Sequence, residues 1–194
     1  MTEKRLNKFK RVVNFRQKNL TLVLENIHDP HNVSAILRSC DAVGVDKVYL
    51  IYNTDKFPKI GRVSSASAKK WVELLRFNSV EECFKVLKKE KFKIYSTHIS
   101  ETGKNNSLYD IDLTKHVAII LGNEHAGVSE EVKKLSDSNL IIPMYGMIQS
   151  LNVSVSAAVC LYEALRQREK KGMYIKSAYT KKELNSKLEN YLNK

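Results

Sequence analysis

Residues 139–168 read NLIIPMYGMIQSLNVSVSAAVCLYEALRQR. The apolar opening, Asn139–Met144, is too short for a buried helix and reads as a strand. From Asn152 to about residue 171 the apolar positions recur at helical spacing. Ser150 and Asn152 suit a helix N-cap, because a side-chain oxygen can accept from a backbone N–H that the first turn leaves unpaired. Ser154, Ser156, Ala157 and Ala158 are small enough to let that helix pack closely. A strand running through a Gly/Gln/Ser/Asn-rich turn into a helix is one αβ unit of a parallel sheet. The same turn has the composition of a loop shaped around a ligand.

The rest of the chain repeats the unit. Strands are expected at TLVLENI (21–27), KVYLIY (47–52), VELLRF (72–77), KIYSTHI (93–99) and VAIILG (117–122). Helices are expected near 32–43, 62–70, 79–90 and 129–136. Ser79-x-x-Glu82 and Thr180-x-x-Glu183 match the capping box, and Ser129 stands before two acids that suit a helix N-terminus. This alternation predicts an α/β domain over 21–171, with a mostly parallel sheet flanked by helices. A basic helical extension is expected to precede it over 1–20. A second, 172–194, is read as a hinge at 172–179 followed by a helix from Thr180.

Composition narrows the function classes. The 194 residues are 43% hydrophobic, as in an ordinary globular chain. The first fifteen residues are too charged for a signal peptide, and no apolar run of 18 residues occurs, which predicts a cytoplasmic protein. Cys40, Cys83 and Cys160 form no CxxC pair and read as buried thiols, not as a disulfide or zinc framework. The formal net charge is +12 and is concentrated at the ends. Residues 1–20 carry seven Lys/Arg against Glu3 alone, and 166–194 carry nine against three acids. Two basic ends around a near-neutral middle favour a nucleic-acid partner over two merely solvated faces.

Ligands of open parallel sheets bind beyond the carboxyl ends of the strands. Three loops fall there: HDPHN after the first strand, GNEHAG after the fifth and YGMIQSLN after the sixth. GNEHAGVS has the glycine spacing of a P-loop, but Val128 occupies the lysine position, which argues against nucleotide hydrolysis. No GxGxxG follows the first strand, no G-x-S-x-G elbow is present, and His28, His31, His98, His116 and His125 show no ligand spacing, so no metal is expected. On the helix at 32–43, Val33, Ile36, Leu37, Cys40 and Val43 make an apolar stripe, and Arg38 lies off it. Arg38 reads as an i,i+3 surface pair with Asp41, or as a long side chain leaning toward the DPHN turn.

HNVSAILRSCDAVGV, IILGNEHAGVSEE and IIPMYGMIQSLNVSVSAAVCLYEALRQR resemble, in order, the three motifs of the SPOUT class of RNA methyltransferases. The likeness extends to SSASAKKWVELL and the basic C-terminal extension, and so covers nearly the whole chain. It is greatest to the TrmH branch, which methylates the ribose 2′-OH of a D-loop guanosine in tRNA. Relatives acting on ribosomal RNA carry a separate RNA-binding domain in front, and minimal relatives acting on the anticodon loop lack a long basic tail. Here some twenty residues precede the first expected strand and a long basic tail follows the last domain helix, a pattern expected of the D-loop enzyme.

The resemblance implies an α/β fold whose C-terminal part threads a trefoil knot, and a homodimer whose active site spans two subunits. It implies S-adenosylmethionine held by Thr97, Leu121, Gly122, Ile142, Met144, Ser150, Leu151 and Asn152, with Gly146 allowing a turn too tight for a Cβ. Arg38 takes the central catalytic role, with Asn32, Glu124, Ser150 and Asn152 positioning it and the ribose. Arg11, Arg16, Arg166, Arg168 and Lys176 are expected to contact RNA phosphates. The alternatives are another tRNA nucleotide or ribosomal RNA as target, and a non-catalytic RNA-binding protein on the same scaffold.

Overall fold

The computed structural model describes residues 2–54, 56–58, 68–100 and 103–194. Six parallel strands form one sheet: β1 (Leu20–Glu25), β2 (Lys47–Ile51), β3 (Glu73–Phe77), β4 (Lys93–Thr97), β5 (Val117–Leu121) and β6 (Ser138–Leu140), in the order β3-β2-β1-β5-β4-β6. Alternate residues feed opposite faces, as the pleat requires. Leu22, Leu24, Val48, Leu50, Ile119 and Leu121 join one core cluster, while Val23, Tyr49, Ile51, Ala118 and Ile120 join the other. Burying one such Leu or Ile is worth roughly 1.5–3 kcal/mol, so near-continuous apolar strands demand helices on both sides.

On the first face lie α2 (Pro30–Val43) and α6 (Val153–Lys170), packed on each other. On the second lie α4 (Val80–Lys89) and α5 (Glu130–Leu135). The short α3 (Ala68–Trp71) precedes β3. It matches the end of the helix expected at 62–70, of which 62–67 lie outside the described residues. At the termini, α1 (Glu3–Phe15) and α7 (Lys181–Leu192) pack together around Phe9, Val13, Tyr191 and Trp71.

The ends of these helices follow local chemistry. Asp29 caps α2 by accepting from His31 N at 2.8 Å, and Pro30 fills the first turn, where its missing N–H costs nothing. Gly44 closes α2 at φ 83°, and a Cβ there would stand 2.8 Å from the Phe15 carbonyl oxygen. Asn152 caps α6, accepting from Ser154 N and Val155 N. Thr180 and Glu183 form the complete reciprocal box that opens α7, whereas at α4 it is Ser79 that supplies the cap bond, to Glu82 N.

Two expectations change. The sixth strand ends at Leu140 and does not run to Met144. Ile141 instead exchanges hydrogen bonds with the segment before the 3-10 turn Leu108–Asp110: its N–H donates to Asn106 O at 2.9 Å and its carbonyl accepts from Leu108 N at 2.8 Å. Pro143 then has no N–H for a ladder. The segment 172–179, read as a hinge, is tied down: Tyr174 OH donates to Val43 O at 2.8 Å and Tyr179 OH to Asp46 Oδ2 at 2.6 Å. Among the described residues no helix is long and apolar enough to cross a membrane.

Candidate active site

The strand order reverses between β1 and β5, so the loops leaving their carboxyl ends part to opposite faces, the place where open parallel sheets bind ligands. Three side chains join there. Glu124, in the loop after β5, accepts from Asn32 Nδ2 at 2.9 Å and from His28 N at 3.3 Å. Asn32, in the first turn of α2, in turn accepts from Asn152 Nδ2 at 3.1 Å. Asn152 Oδ1 is also the α6 cap. One relay, Glu124–Asn32–Asn152, therefore ties together the three loops that the sequence marked.

Burial alone would raise the Glu124 carboxyl. Hydrogen bonds from Asn32 and from the backbone N–H groups of Glu124, His28 and Asp29 outweigh it and hold that carboxyl below the ordinary glutamate range. An ionised Glu124 accepts only, which fixes the Asn32 amide with its Nδ2 toward Glu124 and its Oδ1 toward Asn152.

The loop after β5 is close-packed. A Cβ on Gly122 would lie 2.1 Å from the Gly127 carbonyl carbon and 2.2 Å from Val128 N, so only glycine fits. Gly127 has φ 68° and donates its N–H to Asn123 O at 2.9 Å. Asn123 Nδ2 donates to Asn26 O at 2.8 Å, and Ser129 N donates to Glu25 Oε2 at 2.9 Å, fastening both ends of the loop to the last residue of β1 and the one that follows it. Leu121 is buried, and Thr97, at the end of β4, is half-buried with its hydroxyl donating to Ile120 O at 2.8 Å. Ile142, Met144 and Leu151 are half-buried and Ser150 is exposed.

Gly146 departs from expectation. It lies outside the left-handed region and a Cβ there would meet nothing within 4 Å, so this conformation does not require glycine. Around it Tyr145 and Met147 are 99% and 100% exposed, and Ile148 is 62% exposed. The three asparagines Asn105, Asn106 and Asn139 were not foreseen. Asn139 donates to His98 O at 3.1 Å and to Asn105 Oδ1 at 2.6 Å, and accepts from Asn106 Nδ2 at 3.0 Å, so it knits the loop after β4 to β6. A polar residue at the head of the apolar run 139–144 was the available signal.

Arg38 is exposed on α2 and, among the described residues, makes no hydrogen bond or ion pair. The Arg38–Asp41 pair does not form, because Asp41 is taken by Arg16. Of the five residues expected to meet RNA, Arg11 and Lys176 are exposed. Arg166 is accessible but clasped by the buried Glu163 at 2.8 Å.

Arg16 and Arg168 are corrections: both are 0% exposed and cannot reach a phosphate. Arg168 donates to Leu113 O, Gln17 Oε1, Asn19 Oδ1, Asn19 O and Lys115 O. Burial among neutral acceptors pulls it down to about 10, still protonated at neutral pH. Helical spacing held the clue, since Arg168 continues the buried face Ala157, Leu161, Ala164 and Arg16 follows Phe9 and Val13.

The chain is 46% identical over 173 residues to the tRNA (guanosine(18)-2′-O)-methyltransferase of Thermus thermophilus, spanning 89% of this chain and 88% of that one. The Aquifex aeolicus enzyme of the same name is 40% identical over 182 residues, 94% of this chain and 85% of that one. The crystal structure of the A. aeolicus TrmH/SpoU tRNA modifying enzyme superposes with a TM-score of 0.89 over 98% of this chain and 97% of that one, at 38% identity. The methyltransferase AviRb of Streptomyces viridochromogenes, solved with AdoMet, matches at TM-score 0.69 and 27% identity over 81% of this chain and 60% of that one. The model of the SpoU rRNA Methylase family matches residues 19–162, the stretch that holds the sheet, the relay and most of α6, and the chain belongs to that family.

Proposed function

We propose that the protein transfers a methyl group from S-adenosylmethionine to the ribose 2′-OH of a D-loop guanosine in tRNA, the position named guanosine 18 in its relatives. The relay Glu124–Asn32–Asn152 at the sheet's switch point carries the reading, because it is built from the three motifs at once. The tRNA target is favoured over ribosomal RNA by extent. The tRNA relatives align over most of both chains, whereas a ribosomal RNA relative aligns over 59% of its own length.

The residues fit the donor. Gly122, lacking a Cβ, lets the loop after β5 fold back tightly on its own backbone at Gly127 and Val128 to form one side of a cradle, and Leu121, Ile142, Met144 and Leu151 offer apolar walls beside the backbone polar groups of 142–152 and Thr97. When bound, S-adenosylmethionine supplies a methyl carbon already activated on a sulfonium. The protein's task is then alignment and removal of one proton. The charged group that Arg38 brings is a guanidinium, which offers five N–H donors and no acceptor and is a poor base. We therefore give it an anchoring role, holding the substrate phosphate and the 2′-OH together while phosphate or water shares the proton. Asn32, Glu124, Ser150 and Asn152 position Arg38 and the ribose.

The active form is a homodimer, in which a second copy covers Tyr145, Met147 and Ile148 and completes the site beside Arg38. Around the 21–171 domain, whose C-terminal part threads the knot, the extensions 1–20 and 172–194 hold tRNA through Arg11 and Lys176, joined by Arg166 near the end of α6. The protein works in the cytoplasm, where tRNA is processed. Arg38→Ala tests the reading: methyl incorporation into tRNA should collapse while S-adenosylmethionine binding persists, and near-normal turnover would overturn the role.

A further inference from the structure

A helix leaves its last carbonyls without partners. At the end of α2 and in the turn that follows, donors from the two ends of the chain satisfy them. Val43 O accepts from Tyr174 OH at 2.8 Å, Gly44 O from Gln17 N at 2.7 Å, and Val45 O from Arg16 Nη1 at 2.9 Å. Asp46 Oδ2 accepts from both Tyr179 OH and Lys187 Nζ at 2.6 Å. Arg16 and Gln17 follow α1, Tyr174 and Tyr179 precede α7, and Lys187 belongs to α7.

Arg16 is the centre of this joint. All five N–H groups of its guanidinium are used. Nε donates to Tyr191 Oη at 2.9 Å, Nη1 to Val45 O and, at 3.5 Å, to Asp41 O, and Nη2 to Trp71 O at 3.2 Å and to the Asp41 carboxylate. Tyr191 Oη in turn donates to Trp71 O at 2.9 Å. One buried cation thus joins α1, α2, α3, α7 and the turn into β2. Asp41 lies three residues beyond Arg38 on the same helix. The relay through Asn32 fixes the other end of α2, so the helix that carries Arg38 is clamped at both ends, and one clamp is made by the terminal segments.

We propose that Arg16 is a positioning residue for methyl transfer: through Asp41 and the 41–46 turn, the docked terminal helices set α2 and hence Arg38, so that RNA held on those helices is coupled to the reacting end of the site. The inference rests on the methyl-transfer reading and deepens it. Arg16 touches neither substrate nor cofactor. A lysine in its place would keep the charge but could not reach five acceptors from a single ammonium.

The test uses the full chain with Arg16→Lys and Asp41→Asn, the second keeping side-chain size should the first fold poorly. Each is assayed well below its own Tm for single-turnover methyl transfer at saturating tRNA and S-adenosylmethionine, for S-adenosylmethionine binding, and for amide exchange along α2. Displacing a positioned group by about 1 Å costs on the order of a hundredfold in rate. We expect a loss of at least tenfold in rate, S-adenosylmethionine affinity within twofold of wild type, and faster exchange confined to the last turns of α2. Rates within twofold of wild type in both variants, or exchange raised evenly along the chain, would overturn the inference and leave Arg16 a stabilising residue only. A wild-type protein that methylates no tRNA overturns the functional reading itself, and the exchange measurement, which needs no substrate, tells the two failures apart.

Discussion

Gly122→Ala is the sharpest probe of the donor cradle. The new Cβ would stand 2.1 Å from the Gly127 carbonyl carbon, 2.2 Å from its oxygen and 2.2 Å from Val128 N. Real Cβ atoms essentially never come within 3.0 Å, so 3.0 Å less 2.1 Å leaves a deficit of about 0.9 Å. Backbone, not a flexible side chain, must meet it. That backbone is pinned by Gly127 N on Asn123 O, Asn123 Nδ2 on Asn26 O and Ser129 N on Glu25 Oε2. Overpacking of this kind costs about 1–3 kcal/mol. In a chain of this size that lowers Tm by roughly 2–4 °C per kcal/mol.

The functional cost is larger. A displacement near 1 Å at the cradle is worth about a hundredfold in rate, or roughly 2.7 kcal/mol on the barrier. Titration calorimetry with S-adenosylmethionine, a thermal melt and a methyl-incorporation assay on tRNA measure the three effects separately. A variant that binds the donor within twofold of wild type and melts at the same temperature would show that the loop yields freely, and the close-packed cradle would be wrong.

Arg166→Ala and Arg168→Ala should separate cleanly although only Gln167 stands between them. The first should weaken tRNA binding and reduce the salt slope by about 1, with Tm nearly unchanged. The second strips five acceptors of their buried donor, at about 1–3 kcal/mol for each group left unsatisfied; a fall in Tm is the expected readout, and an unchanged melt would contradict its burial. Glu124→Gln presents an amide N–H₂ where one oxygen now accepts from Asn32 or from His28 N. Methyl transfer should fall by at least tenfold with donor affinity retained, and unchanged turnover would remove Glu124 from the relay's function. Glu183 is held down at about 2 by hydrogen bonds from Lys18 and from the Thr180 backbone and side chain, against an ordinary value of 4.5. A depressed carboxylate contributes stability above its unfolded value and loses it as pH falls through the folded one. The docking of α7 should therefore weaken as pH drops from 4.5 toward about 2, and high salt should blunt the effect because the Lys18–Glu183 pair is exposed; circular dichroism across that window follows it.

The strand-and-helix alternation was legible residue by residue, because apolar period and capping chemistry are local. Val153–Lys170 starts directly after Asn152, one of the two residues, with Ser150, that the N-cap rule offers, and VAIIL is buried throughout. Local pattern failed where a segment's partner lies far away in the chain. Ile141–Met144 looks like strand, yet Ile141 spends its backbone bonds on Asn106 and Leu108. The three loops of the site could be named from their place after apolar strands. Which atoms meet was not in them: Glu124, Asn32 and Asn152 are 92 and 120 residues apart in their pairings.

The cations show the division most plainly. Charge along the chain distinguishes basic ends from a balanced middle, and that much is composition. Whether a given arginine faces water depends on what the fold lays over it. Arg11 stays exposed while Arg16, five residues on, disappears beneath Tyr191, Trp71 and the end of α2. A guanidinium presents five donors in a fixed fork; where the folded chain supplies five acceptors, the cation becomes a structural joint, and where it supplies none, the cation is left for a partner. Propensity and periodicity act between near neighbours and so are written in the sequence, but that choice is made by segments that meet only once the sheet has brought both ends of the chain to the same helix.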